Sequence, residues 1–238
     1  MATTISYIIP LGNRCVVAGA FKDKSLRRFS LPFDWIYSIP SMIISVLNDD
    51  FSSLLDHTQY YRVQGDRRNT AVGHRALGHH VASMSEAVFV HHDVMTKEGY
   101  AYLRRSVERW RRVMAAPERK LFAMAVIDDG MWNLAACRDL FDALSTRTSN
   151  FCFIAVRVLQ GKGKSGWECV EREEEGEEEF IVVEQRCIGS CAGQHYAISE
   201  DADVLAQILL FPPPRGGASN IRDPYDFKLK TKSQIDAS

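Results

Sequence analysis

The sequence predicts an α/β fold: a mostly parallel sheet flanked by helices on both faces, with a β-hairpin excursion near residues 167–186. Three observations lead there. Short apolar runs bounded by turn residues recur at 5–11, 87–91, 121–127, 151–159 and 180–185. Amphipathic segments of helical period alternate with them, the pattern of parallel strands joined by crossover helices. The 238 residues are 46% hydrophobic and 25% charged, which is ordinary globular composition.

Each element has a local signal. Ile5 to Leu11 is an apolar run ending at Gly12, and Asn13 is placed to cap a helix over Cys15–Phe21. Pro32-Phe33-Asp34-Trp35-Ile36 is an aromatic-rich turn. A helix opens at Pro40 or Ser41, with Met42, Ile43, Val46 and Leu47 on one face. Residues 56–80 are polar and read as a long loop or strand-poor excursion. Ala87 to His91 reads as the second buried strand.

A long helix starts at Thr96 or Lys97 and runs to about Ala116, with Tyr100, Leu103, Val107, Trp110 and Val113 at helical spacing. Its other face carries Arg104, Arg105, Arg109, Arg111 and Arg112, and Pro117 ends it. Leu121–Ile127 is the third strand, 132–144 a helix, and 151–159 a strand. The acidic run Glu171–Glu179 separates 167–170 from a strand at 180–185, its glutamates at 173–179 read as a solvated hairpin tip, and 201–211 reads as a last helix. Residues 1–211 form one domain on this reading. Residues 212–238, rich in Pro, Gly and charge, form a loosely ordered C-terminal arm.

Composition limits the function. A formal net charge of −1 argues against a surface built throughout for nucleic acid. The N-terminus lacks the basic and apolar regions of a signal peptide, and no stretch nears the roughly 20 apolar residues of a membrane span. Six irregularly spaced cysteines make no disulfide scaffold, so a cytoplasmic protein with reduced thiols is expected. Neither a cofactor nor a metal is expected. There is no phosphate-binding loop, dinucleotide fingerprint or Gly-x-Ser-x-Gly elbow. A facial triad of His91, Asp93 and a distant His195 is the weaker metal alternative.

In parallel sheets, ligands bind at the carboxyl ends of the strands. The first strand ends at Gly12 and Cys15, the second at His91, His92 and Asp93, and the third at Asp128 and Asp129. One edge would therefore gather a thiol, two imidazoles and carboxylates. A helix N-terminus stabilises a thiolate, and a neighbouring imidazole holds its proton. Cys15 is the candidate nucleophile, with His92 or His91 as base. Asp93 either orients an imidazole or caps the next helix. Asn13, Arg14, Trp35 and Asp128 are candidate substrate-binding residues. Cys187 and Cys191 lack metal or redox spacing.

Leu11-Gly-Asn-Arg-Cys15-Val-Val-Ala18, Pro32-Phe-Asp-Trp-Ile36, Phe89-Val-His-His-Asp93 and the arginine pair on the following helix resemble a largely uncharacterised family assigned to papain-like cysteine peptidases. The likeness covers about residues 5–127. It implies a Cys–His site, with Cys15 matching the family cysteine and His92 the histidine directly before Asp93. Asp34 and Trp35 match a motif that either lines the pocket or shapes the turn. Papain-like enzymes carry the cysteine on a helix against an antiparallel sheet, whereas the alternation here places it after a strand of an α/β unit.

The leading expectation is a cysteine-dependent hydrolase or acyl-transfer enzyme acting on a small-molecule or peptide substrate. Asp93, Asp34 or Asp128 would orient the base. One alternative is a non-catalytic binding module that meets an acidic or phosphorylated partner at Arg104, Arg105 and Arg109. Another is a transferase acting on a phosphorylated or nucleotide-linked substrate.

Overall fold

The computed structural model describes residues 5–25, 29–64, 71–82, 85–128, 130–192 and 195–210. Its centre is a five-stranded sheet of β1 (Tyr7–Gly12), β4 (Lys120–Ile127), β5 (Phe151–Leu159), β7 (Glu178–Arg186) and β6 (Gly166–Glu175), in that order. The pairs β1–β4, β4–β5 and β5–β7 are parallel, and β6 runs antiparallel at the edge beside β7. Each residue of β4 is buried, as a central strand covered on both sides requires.

Helices cover both faces. On one, Phe122, Met124 and Val126 meet α2 (Pro40–Asn48), α5 (Lys97–Ala115) and α6 (Leu134–Ser145). On the other, Leu121, Ala123, Ala125 and Ile127 meet α1 (Val16–Asp23) and α7 (Ser199–Leu210). The helix starts follow the sequence. Pro40 occupies the first turn of α2. Thr96 caps α5 by accepting from the Gly99 N–H, and Asn133 caps α6 by accepting from Ala136. Among the described residues no helix is long and apolar enough to cross a membrane.

Three local expectations change. Residues 87–91 do not join the central sheet; Phe89 makes only isolated bridges to Ile36 and Val72. The run is apolar because Ala87, Val88 and Phe89 are buried among loops and helices, and burial alone does not distinguish a sheet strand. Residues 56–80 hold more structure than a loop: α3 (Ser52–Leu55) leads into them, and β2 (Tyr60–Arg62) and β3 (Val72–His74) pair ahead of α4 (Gly78–Val81).

The acidic run is mostly strand. Glu171–Glu175 belong to β6 and Glu178–Glu179 to β7, turning at Gly176. Arg138 of α6 pairs with Glu171 and Glu173, and Arg119 and Arg172 pair with Glu179, so the charges hold the hairpin to the body. A short pair, β8 (Cys191–Ala192) and β9 (His195–Tyr196), precedes α7. Asp129 and the arm 212–238 lie outside the described residues.

Candidate active site

The site starts where β1 ends. Gly12 has φ +136°, and a Cβ there would drive into the Ala125 carbonyl oxygen, so only glycine lets β1 leave β4 at this point. Asn13, fully buried, then clamps the turn. Its Nδ2 donates to Ile127 O (3.1 Å) and its Oδ1 accepts from Ile127 N (2.9 Å). This is a structural role, and Asn13 does not cap α1. Cys15 takes the N-cap position of α1 instead, and its carbonyl accepts from Gly19 N (2.8 Å).

The Cys15 thiol points into an aromatic nest. It packs with Ala18 and Trp35, with Tyr102 of α5 against the cluster, and the residue is 3% exposed. Burial pushes the thiol up to about 12, and the Asp34 carboxylate adds to this while Arg14 opposes it. The expected lowering by the helix terminus is therefore overturned in this closed arrangement, because desolvation of the thiolate outweighs the dipole. Cys137, Cys152 and Cys191 are likewise held at about 12, chiefly by burial.

The Pro32–Ile36 segment joins the parts. Ser38 donates from both N and Oγ to Gly12 O (3.2 and 3.0 Å), fixing the segment to the end of β1. Tyr37 N donates to Val88 O (3.1 Å), and Ile36 bridges Phe89, fixing it to the segment that carries the histidines. Asp34 is buried and accepts from Leu31 N through Oδ2 (3.1 Å), closing the turn. Trp35, 8% exposed, packs on Cys15 with one side and meets the His91 ring edge-on with centroids 5.7 Å apart.

His92 lies against the other aromatic wall. Its ring and that of Tyr102 have centroids 4.2 Å apart and planes 32° apart. Each imidazole is thus one aromatic ring away from the Cys15 cluster, and among the described residues no hydrogen bond joins the thiol to either. Trp35, His92 and Tyr102 share a cavity of about 10 Å³ with Leu31, Pro32 and Ser106, room for one water-sized group.

The expected carboxylates are otherwise engaged. Asp93 Oδ2 accepts from Arg62 Nη2 of β2 (2.5 Å) and Oδ1 from Met95 N (3.0 Å). Asp93 thereby anchors the histidine segment instead of orienting an imidazole. Asp128 pairs with Arg157 of β5 (Nε 2.8 Å, Nη2 2.5 Å), which also reaches Glu184 of β7 (3.4 Å). Arg14 lies over the Tyr37 ring, 5.5 Å from its centroid. On α5, Arg104 and Arg105 are exposed, whereas Arg109 donates to Ser30 O (2.9 Å) and Arg111 forks onto Asp50.

The remaining histidines stand apart. His74 is buried between Ser53 O and Leu77 N, and burial lowers its basicity. His195 is exposed and faces Asp23 (3.6 Å). Among the described residues, no group of three or more His, Cys, Asp or Glu side chains is placed to hold a metal ion.

A family profile described as "Putative papain-like cysteine peptidase (DUF1796)" matches residues 6–161. The chain belongs to this family. No curated protein and no solved structure matches the chain. The part matched by the papain-like family spans Cys15, Asp34-Trp35 and His91-His92-Asp93, and stops before the acidic hairpin and α7. It also contains three site residues that sequence reasoning passed over: Ser38, Tyr102 and Gly99. A Cβ at Gly99 would strike the Asp93 carbonyl oxygen, so this glycine lets the histidine segment close onto the first turn of α5. The available signal for Tyr102 was its place beside Leu103 and one turn before Ser106, on the edge of the apolar stripe.

Proposed function

We propose that this protein is a cysteine-dependent hydrolase or acyl-transfer enzyme, with Cys15 as nucleophile and His92 as base. The observation that carries the reading is convergence. The N-cap of α1 and the His91-His92 segment meet at one place, linked by Trp35 and Tyr102, inside the part of the chain shared with the family. The geometry described above is a resting form in which the aromatic rings cover the thiol.

Reaction requires the aromatic cluster to open, so that substrate reaches the Cys15 thiol and the thiol reaches His92 past the edge of Tyr102. The Sγ proton passes to His92, and sulfur forms a bond to the carbonyl carbon of the substrate. No side chain caps the start of α1, so its first N–H groups can face the oxyanion. As the intermediate collapses, the leaving amine, thiol or alcohol takes the proton from the imidazolium. Water or an acceptor nucleophile then attacks the thioester and gives its proton to His92, and the expelled thiolate takes that proton back to restore the thiol and the neutral imidazole. Asp34 opposes the lone thiolate but favours a thiolate–imidazolium pair, because its negative charge stabilises the cation.

A non-catalytic binding module is the second reading, favoured by one observation: Cys15 is as buried and as hard to ionise as the core thiols. Alkylation of Cys15 in native and His92→Ala protein separates the two. An enzyme links thiol reactivity to His92, and a packed spectator thiol does not.

A further inference from the structure

We propose that Tyr102 is a positioning residue for His92, setting the plane of the imidazole through an aromatic stack and favouring its protonated form. This rests on the Cys15–His92 reading and names a residue that the family motifs do not contain.

His92 sits on an irregular segment between α4 and α5, outside any helix or sheet strand. Tyr102 sits on α5, a 19-residue helix capped by Thr96 and packed through Leu103, Ser106, Val107 and Trp110. The stack, at 4.2 Å and 32°, transfers that rigidity to the imidazole. The same tyrosine packs against the Cys15, Ala18 and Trp35 cluster, so one side chain adjoins both His92 and the cluster that holds the thiol.

An aromatic face also attracts a cation through its quadrupole. Stacking therefore favours the imidazolium that forms when Cys15 gives up its proton. Among the described residues, the titratable or charged groups around the pair include His91 and Asp93 on the same segment, Arg62 of β2, Asp34 of the Pro32–Ile36 segment, and Arg14 beside Cys15.

The test is the pH profile of Cys15 alkylation, read by peptide mapping, in wild type, Tyr102→Phe, Tyr102→Leu and His92→Ala. Uncovering the thiol raises the rate and, because burial is what lifts the thiol, moves the midpoint down, so the direction of the shift separates uncovering from lost positioning. Loss of positioning moves it up. Tyr102→Leu should shift it upward by roughly 0.4–0.7 units, the size of an exposed cation–π contact. Tyr102→Phe should keep the wild-type midpoint. The ring-current displacement of the His92 Hε1 resonance should vanish in Tyr102→Leu and persist in Tyr102→Phe. If Leu does not fold, Tyr102→Met serves.

An unchanged or lowered midpoint in Tyr102→Leu, with His92→Ala still shifting it, overturns the positioning role and leaves the Cys–His reading standing. A midpoint insensitive to His92→Ala overturns both.

Discussion

Replacing Asn13 by alanine removes the two hydrogen bonds that fasten the Cys15 turn to β4. Ile127 N and O then lose their side-chain partner in a region from which water is excluded, since Asn13 is fully buried and Ile127 is 1% exposed. Each orphaned buried backbone group costs about 1–3 kcal/mol. The variant should therefore lose about 2–6 kcal/mol, or roughly 2–4 °C of Tm per kcal/mol in a domain of this size. Asn13→Asp sharpens the test. It keeps an acceptor for the Ile127 N–H but sets an oxygen against Ile127 O unless the carboxyl holds a proton. Such a carboxyl has its folded-state pKa raised above its unfolded value. Its stabilising contribution is thus present at low pH and lost as pH rises through the folded value, so the deficit relative to wild type should narrow as pH falls from 7 towards 5. Urea midpoints for the three proteins measure this. A loss below about 1 kcal/mol for Asn13→Ala would refute the clamp.

Two further outcomes follow from the buried thiols. Trp35→Ala removes the largest side chain of the cluster that buries Cys15. Burial holds that thiol at about 12 against an ordinary 9.0, so exposure should raise native iodoacetamide labelling at pH 8 at least tenfold, towards a ceiling of about a thousandfold; an unchanged rate would show that Trp35 does not shield the thiol. Stability should also fall at alkaline pH. Cys15, Cys137, Cys152 and Cys191 keep their protons when folded but release them near 9.0 when unfolded, so the unfolded chain is favoured as pH rises from 9 towards 12. At pH 10 this amounts to about 1.4 kcal/mol per thiol, and equal urea midpoints at pH 8 and 10 under reducing conditions would contradict it.

The sheet was legible because its strands are covered on both faces. Such strands read as unbroken apolar runs, as in Leu121–Ile127 and Phe151–Val156. The main helices were legible from capping residues and period, as with Thr96 and the stripe from Leu103 to Val113. Residues 87–91 misled because Val88 and Phe89 are as buried as sheet residues, yet their partners are single residues of short segments, Ile36 and Val72. Pairing between distant segments leaves no periodic trace. Lys120 begins a buried strand for a comparable reason: its ammonium donates to Ala116 O, Glu118 O and Ser149 O, partners that only the folded turn assembles.

The candidate site was legible as a set of residues but not as an electrostatic state. Sequence placed Cys15 at a helix start and the histidines near it. It could not show that Trp35 covers the thiol, that Asp93 is paired with Arg62, or that Asn13 reaches Ile127, 114 positions away. The depth of burial reverses the expected direction of the thiol pKa, and burial depth is a property of the packed aromatic cluster.

The central claim is that Cys15 is a nucleophile served by His92. Its most direct test is the native alkylation rate of Cys15 relative to Cys137 across pH 6–10, by peptide mapping, in wild type and His92→Ala. Cys137 lies on the buried face of α6 in the core and reacts only when that core opens. The account predicts that Cys15 labels faster, because opening the aromatic cluster suffices, and that His92→Ala moves its profile to higher pH. Equal rates for the two thiols, with a Cys15 profile unchanged by His92→Ala, would contradict the account and make Cys15 a packing residue.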